Sequence, residues 1–305
     1  MDRNSVDWYG NFCAVVTPFN RDGNIDEAAF QENIRLLVSE GIRGIVVAGC
    51  TGEFWALSDE ERLRLFELAR EATDVFVIGN ASAIVTGHSV AYAQGAKDRA
   101  LDGIMLTPPF YAKPNDREIV HHYRRVSDAV ELPILMYNIP SRQAVAPSIG
   151  VIEQLVQVDN VVAFKQSASE FGAVLDTLRA VGDAIRVMPG HSVDRGVPCL
   201  VMGADGYVSS VESQVMGRDA VRMYELVMEG NLEEARDIQM RCVALDKAVH
   251  GDAGTFPASL KAAMNFCGRP GGYPREPLLP LTEKESSNLR ATLQGIGIAM
   301  AAVVA

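Results

Sequence analysis

With 305 residues, 28 basic and 39 acidic side chains and a net charge of -11, the chain is long enough for one large core or two ordinary domains, and its surface has the wrong sign for nucleic acid or an anionic membrane. Five cysteines, Cys13, Cys50, Cys199, Cys242 and Cys267, are scattered and odd in number, with no C-x-x-C pair, which argues against a disulfide framework or a zinc ribbon and makes a reducing cytoplasm the expected compartment. The opening "MDRNSVDWYGNF" lacks the apolar core of a secretory signal, and the longest apolar tract, "IGIAMAAVVA", is too short to span a bilayer and reads as the end of a packed helix.

Short runs rich in β-branched residues then alternate with longer amphipathic segments. The strand candidates in chain order are "FCAVVTPF" from Phe12, "GIVVAG" from Gly44, "VFVIGN" from Val75, "GIMLTPP" from Gly103, "PILMYNIP" from Pro133, "VVAFKQS" from Val161, "IRVMPG" from Ile185 and "GYVSS" from Gly206. Helices are expected between them at Asp26 to Glu40, Ser58 to Ala72, Thr86 to Ala100, Asp116 to Val130 and Ser169 to Val181, the second opened by the capping box of Ser58 and Glu61. No G-x-G-x-x-G follows the first strand, so eight βα units point to a closed (β/α)8 TIM barrel rather than a doubly wound sheet. After the eighth strand a continuous helical pattern split at Gly230 leads into further helices. The expected organisation is a catalytic barrel over residues 1–230 and a C-terminal helical domain, or extension, over 231–305.

In such a barrel the chemistry sits at the C-terminal ends of the strands, and three of those ends carry reactive or donor groups. Lys165 closes the apolar run "NVVAF". Burial there would lower its pKa and make the amine a nucleophile toward a carbonyl carbon; a solvated strand-end lysine explains the residue, taken alone, equally well. Tyr137 closes the neighbouring strand and can carry protons to and from a lysine adduct if another hydroxyl helps, although a strand-end tyrosine is more often a packing residue. In "GCTGE", Gly49 and Gly52 would let the backbone turn tightly, while Thr51 and free N–H groups offer donors to a carboxylate; an ordinary βα turn would look the same. Glu53 reads as a backbone cap, and Lys97, Lys113, Lys247, Lys261 and Lys284 read as solvated. The five histidines form neither H-x-H nor H-E-x-x-H, so no metal site is assigned, and there is no G-x-S-x-G elbow.

Taken in order, "GCTGE", "YNIPSR" and "FKQS" resemble the motifs of the dihydrodipicolinate synthase and N-acetylneuraminate lyase family, and the resemblance runs from "AVVTPF" to the C-terminal helices. It implies a (β/α)8 barrel with a C-terminal helical domain, a homotetramer built as a dimer of dimers, and an imine between a lysine and a 2-oxo acid such as pyruvate, with no added cofactor. Lys165 then matches the imine-forming lysine, Tyr137 the proton-shuttling tyrosine, and Tyr111, in "TPPFYAKP", a tyrosine that crosses a subunit interface to complete the relay. Thr51, Cys50 and Gly52 match the carboxylate-binding turn, Arg142 the arginine that holds the second substrate, and Val208 a position lining the pyruvate site.

Three departures bear on substrate. Cys50 stands where synthases carry a threonine whose hydroxyl sits in the relay, Gln166 where they carry Glu, and "PGHSVD" with His191 and Ser192 where they carry acidic residues. The sequence therefore reads as a class I, Schiff-base lyase acting on a 2-oxo acid. Arg142 and Tyr111 favour a dihydrodipicolinate synthase. Cys50, Gln166 and His191 favour a catabolic relative such as a sugar-acid dehydratase or aldolase or a hydroxyproline-pathway deaminase. A non-catalytic 2-oxo acid binding protein is the reading from outside enzymology.

Overall fold

The computed structural model describes residues 1–251 and 254–301. Strands and helices alternate as β1 (Gly10–Ala14), α1 (Glu27–Ser39), β2 (Gly44–Val47), α2 (Asp59–Ala72), β3 (Phe76–Asn80), α3 (Thr86–Asp98), β4 (Gly103–Leu106), α4 (Asp116–Ser127), β5 (Ile134–Asn138), α5 (Ile149–Leu155), β6 (Val161–Gln166), α6 (Phe171–Val181), β7 (Arg186–Pro189), α7 (Ser192–Val201) and β8 (Gly206–Ser209). The strands form one parallel eight-stranded sheet in the order β7-β6-β5-β4-β3-β2-β1-β8. Among the described residues no strand ladder joins β7 to β8, and Asp205 bridges that seam. Its N–H donates to the Val187 carbonyl at 3.0 Å, and its carboxylate accepts from the Val187 N–H at 2.9 Å and from Arg186 at 2.7 Å. The result is a (β/α)8 TIM barrel.

Strand alternation divides the core in two. Phe12, Val46, Ile78, Met105, Leu135, Met188 and Val208 fill the barrel interior, while Cys13, Ile45, Val77, Ile104, Phe164 and Val187 face the surrounding helices. The N-terminal end of the barrel is plugged by Trp8 and by Phe12 stacked on Phe76 at 6.2 Å. Gly44 and Gly103 make room for the plug, since a Cβ on either would lie 2.5 Å from the Phe12 or Trp8 ring. A sealed floor leaves the opposite mouth as the place for a ligand.

The helix starts follow their caps: Ser58 and Glu61 exchange the reciprocal bonds of the expected capping box. β1 begins and ends earlier than its apolar run suggests, because the Val16 N–H is taken by the Gln214 side chain at 3.0 Å and leaves the ladder. Beyond β8 come α8 (Val211–Met216), α9 (Arg218–Met228), α10 (Leu232–His250), α11 (Ala258–Phe266) and α12 (Glu283–Gly295). The helical run breaks not only at Gly230 (φ 81°) but also at Gly217 (φ 57°), where a Cβ would lie 2.3 Å from a Glu40 oxygen. The region after α11 is not helical throughout: residues 267–282, rich in Gly and Pro, return along the barrel, where Tyr273 pairs with Phe19. As far as residue 301 the apolar tail is not a helix end either. α12 stops at Gly295, residues 296–301 are irregular, and residues 302–305 lie outside the described ones. Helices α10 to α12 share one apolar cluster with α7, β8 and α9 through Val197, Tyr207, Met223, Leu245, Leu260 and Leu289. No helix among the described residues is long and apolar enough to cross a membrane.

Candidate active site

Residues Tyr137 of β5 and Lys165 of β6 are register partners, and both point into the barrel mouth. Lys165 is 6% exposed, and its Nζ sits 4.3 Å from the centre of the Tyr137 ring. Among the described residues it makes no ion pair. Burial pulls its pKa down from 10.5 to about 8, which leaves a useful fraction of free amine near neutrality. The π face of the phenol offsets part of the cost of the buried cation. Burial also pushes the Tyr137 phenol well above 10, so it rests as a proton donor.

The turn after β2 is held from three sides. Asn80 donates to the Ala48 carbonyl at 2.8 Å, and Thr17 to the Gly52 carbonyl at 2.8 Å. Glu53, fully buried, pairs with Lys261 of α11 and accepts the Arg275 N–H at 3.1 Å. The left-handed positions in this turn are Ala48 and Glu53, both at φ 53°. Gly52 is needed instead for close approach: a Cβ would lie 3.1 Å from Ala48 Cα and 3.2 Å from the Val15 carbonyl. Lys261, expected at the surface, is 0% exposed, and its ammonium donates to the carbonyls of Thr17 at 2.6 Å and Tyr273 at 2.8 Å.

A cavity of about 220 Å³ at the mouth is lined by Lys165, Tyr137, Cys50, Thr51, Val208 and Arg142, so six of the eight residues singled out in the sequence meet at one place. A second cavity of about 370 Å³ adjoins it across Cys50, Tyr137 and Arg142 and is walled by Phe54, Trp55, Met105 and Phe110. Arg142 stands exposed at the boundary, 5.7 Å over the Trp55 ring, with no ion pair among the described residues. Gly52 shapes the turn without lining either space. Tyr111 is 89% exposed at φ 68° and reaches neither cavity within its own chain.

Of the substrate-related departures beyond Cys50, only His191 lines the cavity. Gln166 faces away from the mouth, accepting from Asn138 at 2.7 Å and donating to Thr177 at 3.1 Å, and does not line the cavity. Ser192 also turns away, to the buried carboxyl of Glu212, whose pKa burial raises. His191 does line the cavity, its Nε2 3.2 Å from the Ser167 carbonyl and its pKa lowered by burial. Residues missed in the sequence line it as well: Ser167, Gly190, and the pair Asp246 and His250, 2.8 Å apart on α10, with the His250 ring stacked on Phe256 at 4.6 Å. The period-two alternation that places Lys165 inward also places Ser167 inward. No local sequence signal brings the end of α10 over the barrel mouth.

The profile of the Dihydrodipicolinate synthetase family matches residues 7–296. The chain belongs to that family. A 4-hydroxy-tetrahydrodipicolinate synthase of Methanothrix thermoacetophila is 31% identical over 93% of this chain and 95% of its own. An uncharacterised DapA-like lyase of Rhizobium meliloti is 35% identical over 95% and 96%. A solved monomeric dihydrodipicolinate synthase variant superposes with a TM-score of 0.89 at 27% identity, covering 95% of this chain and 97% of that one. Like other members of this family of class I aldolases, the protein is an enzyme of the lyase type.

Proposed function

We propose that the protein forms an imine between Lys165 and the keto carbon of pyruvate or a related 2-oxo acid and uses it as an electron sink for making or breaking a bond next to that carbon. One observation carries this reading: a buried lysine without a counter-ion among the described residues, its pKa near 8, lies against a proton-donating tyrosine in a cavity of substrate size. The neutral amine attacks the keto carbon to give a carbinolamine. The C–O bond then breaks, the Tyr137 proton leaves with the hydroxyl as water, and the phenolate left behind takes a proton from the carbon beside the imine, yielding an enamine. Thr51 and the N–H groups of its turn hold the carboxylate, Val208 forms the opposite wall, and Arg142 meets an anionic group on the second reactant.

The names of the relatives and Arg142 at the boundary of the two cavities support condensation of pyruvate with an aldehyde, as in a 4-hydroxy-tetrahydrodipicolinate synthase. A catabolic dehydratase, aldolase or deaminase is the second reading, favoured by Cys50 in the turn and His191 in the cavity wall; Gln166 no longer supports it. Tyr111, exposed beside a cavity that opens next to Tyr137, supports an assembly in which a second copy completes the relay, within a homotetramer. The monomeric relative shares the fold, so the assembly reading rests on Tyr111 and not on the barrel. Five free cysteines support a cytoplasmic location. In this reading residues 1–230 carry the chemistry and residues 231–305 brace it.

Intact-mass spectrometry after borohydride reduction with pyruvate tests the proposal. The wild type gains the mass of a reduced pyruvate adduct, Lys165→Ala does not, and the variant loses turnover by at least about 10⁴-fold. Absence of an adduct with pyruvate and larger 2-oxo acids overturns the reading, and ligand-dependent stabilisation without an adduct would make the protein a binding protein.

A further inference from the structure

We infer that Ser167 supplies the hydroxyl that works with Tyr137 in moving protons at the imine, a role that the thiol of Cys50, in the lining of the same cavity, fills poorly. The inference rests on the Schiff-base reading above.

Ser167 follows Lys165 by two residues, so strand alternation points both side chains into the mouth. Its backbone is fixed on both sides. The N–H donates to the Asn138 carbonyl at 2.8 Å, continuing the β5–β6 ladder, and the carbonyl meets His191 Nε2 at 3.2 Å. The side chain is 3% exposed, yet its Oγ has no hydrogen-bond partner among the described residues. A buried hydroxyl left unpaired costs about 1–3 kcal/mol, and this one, in the cavity lining, is open to a partner there.

The space around Ser167 identifies that use. A Cβ placed on Gly190 would lie 1.9 Å from Ser167 Oγ and 2.8 Å from Lys165 Cε, so the hydroxyl and the end of the lysine converge on the same small volume. Tyr137 lies beside both. A hydrogen bond from Ser167 would favour the tyrosine's phenolate, whereas one from the phenol to Cys50 would favour the protonated form. Burial raises the Cys50 thiol above its usual range, and a neutral thiol is a weak donor.

The chemistry needs a donor at this point. When the carbinolamine loses water, the C–O bond breaks, the phenol proton leaves with the hydroxyl, and a phenolate remains next to a protonated imine. The Ser167 O–H donates to that phenolate until it recovers a proton from the neighbouring carbon. In carbinolamine formation the same pair passes a proton from nitrogen to oxygen: Ser167 accepts from the amine as it gives its own proton to Tyr137, and Tyr137 gives its own to the former keto oxygen. Each hydroxyl ends the step with one proton.

Rapid-quench borohydride trapping with pyruvate, or with whichever 2-oxo acid the wild type accepts, tests this on Ser167→Ala and on Ser167→Ala combined with Cys50→Thr. The single variant should form the adduct about 10–100-fold more slowly, with a melting temperature no lower than that of the wild type. Adding Cys50→Thr should recover most of the lost rate, because a hydroxyl then stands at position 50 in the same cavity lining as the phenol; a purely structural role for Ser167 would not be rescued this way. An adduct formed at the wild-type rate by Ser167→Ala, or a slow variant that Cys50→Thr fails to rescue, overturns the inference while leaving the imine intact. A wild type that forms no adduct with any 2-oxo acid overturns it together with the function it rests on.

Discussion

Lys165 and Lys261 are both sealed within the molecule, and burial brings both pKa values down from 10.5 to about 8. Their surroundings differ in what they leave free. Lys261 faces a carboxylate and two carbonyls, so its ammonium is held in place and charged at neutral pH, joining α11 to the turn after β2. Lys165 has the face of Tyr137 and open cavity, so its nitrogen remains available to a carbon. Desolvation alone therefore does not mark a nucleophile; desolvation without a counter-ion does. The Glu53–Lys261 pair also shows how the second lysine serves the first, because it holds the turn that carries Cys50 and Thr51.

The sharpest way to break this comparison is to remove each charge without removing the stem. Lys261→Met leaves Glu53 buried and uncompensated, at a cost of about 3–5 kcal/mol and a fall in melting temperature of roughly 10 °C. Combining it with Glu53→Gln should recover a large part of that loss. Lys165→Met relieves an unpaired buried cation and should stabilise the fold at pH 7 by about 3 kcal/mol. Folded Lys165 releases its proton near pH 8 and an unfolded lysine near 10.5, so between these values the unfolded chain binds more protons and wild-type stability rises with pH. The advantage of Lys165→Met is full below pH 8 and fades across that window. Urea titrations of the variants at pH 7 and pH 10 read every part of this, and equal losses at the two lysines would end the distinction.

The sequence carried one lysine of this pair and hid the other, for a physical reason. Lys165 lies in an apolar strand whose neighbours announce burial. Lys261, in "SLKAAMNF", sits in an amphipathic helix where a lysine ordinarily faces water, and only the return of residues 267–282 to the barrel covers it. The same division runs through the site. Lys165 and Tyr137 are legible because each lies at the end of a strand, Thr51 because its turn follows one, and strand ends of a barrel share one face; Val208 is legible only through the resemblance. His250 and Asp246 are not, since their place over the mouth depends on how α10 packs against α7 and α8. Strand alternation made Ser167 legible in principle, but its lack of a partner is a property of the packed interior. The glycines of "GCTGE" show the same division: they mark a tight turn, but its left-handed positions, Ala48 and Glu53, carry no local signal.

The free nitrogen of Lys165 also predicts a pH dependence that Lys261 does not share. Imine formation requires the neutral amine, so the trapping rate should rise about tenfold per pH unit up to about pH 8 and then level off. A rise that continued toward pH 10.5 would mean that Lys165 titrates as a solvated lysine. Lys261→Met, assayed where it remains folded, should keep the same inflection, because that ammonium touches neither substrate nor Tyr137.

A smaller effect is expected from Gly190, which gives Lys165 the room that its partners deny Lys261. Gly190→Ala would bring a methyl within 1.9 Å of Ser167 Oγ and 2.8 Å of Lys165 Cε. Neither atom is the far end of a long flexible chain free to swing into solvent, so both must shift. Displacing a reacting group by about 1 Å can cost on the order of 100-fold in rate, whereas overpacking at one small site costs about 1–3 kcal/mol of stability. Gly190→Ala should therefore lose about 10–100-fold in trapping rate with a fall in melting temperature of only a few degrees. Gly172→Ala, at the start of α6 where a Cβ meets nothing within 4 Å, should change neither. If Gly190→Ala traps pyruvate as fast as the wild type, the space beside Lys165 is not set aside for its chemistry, and the contrast between the two lysines reduces to the presence or absence of a carboxylate.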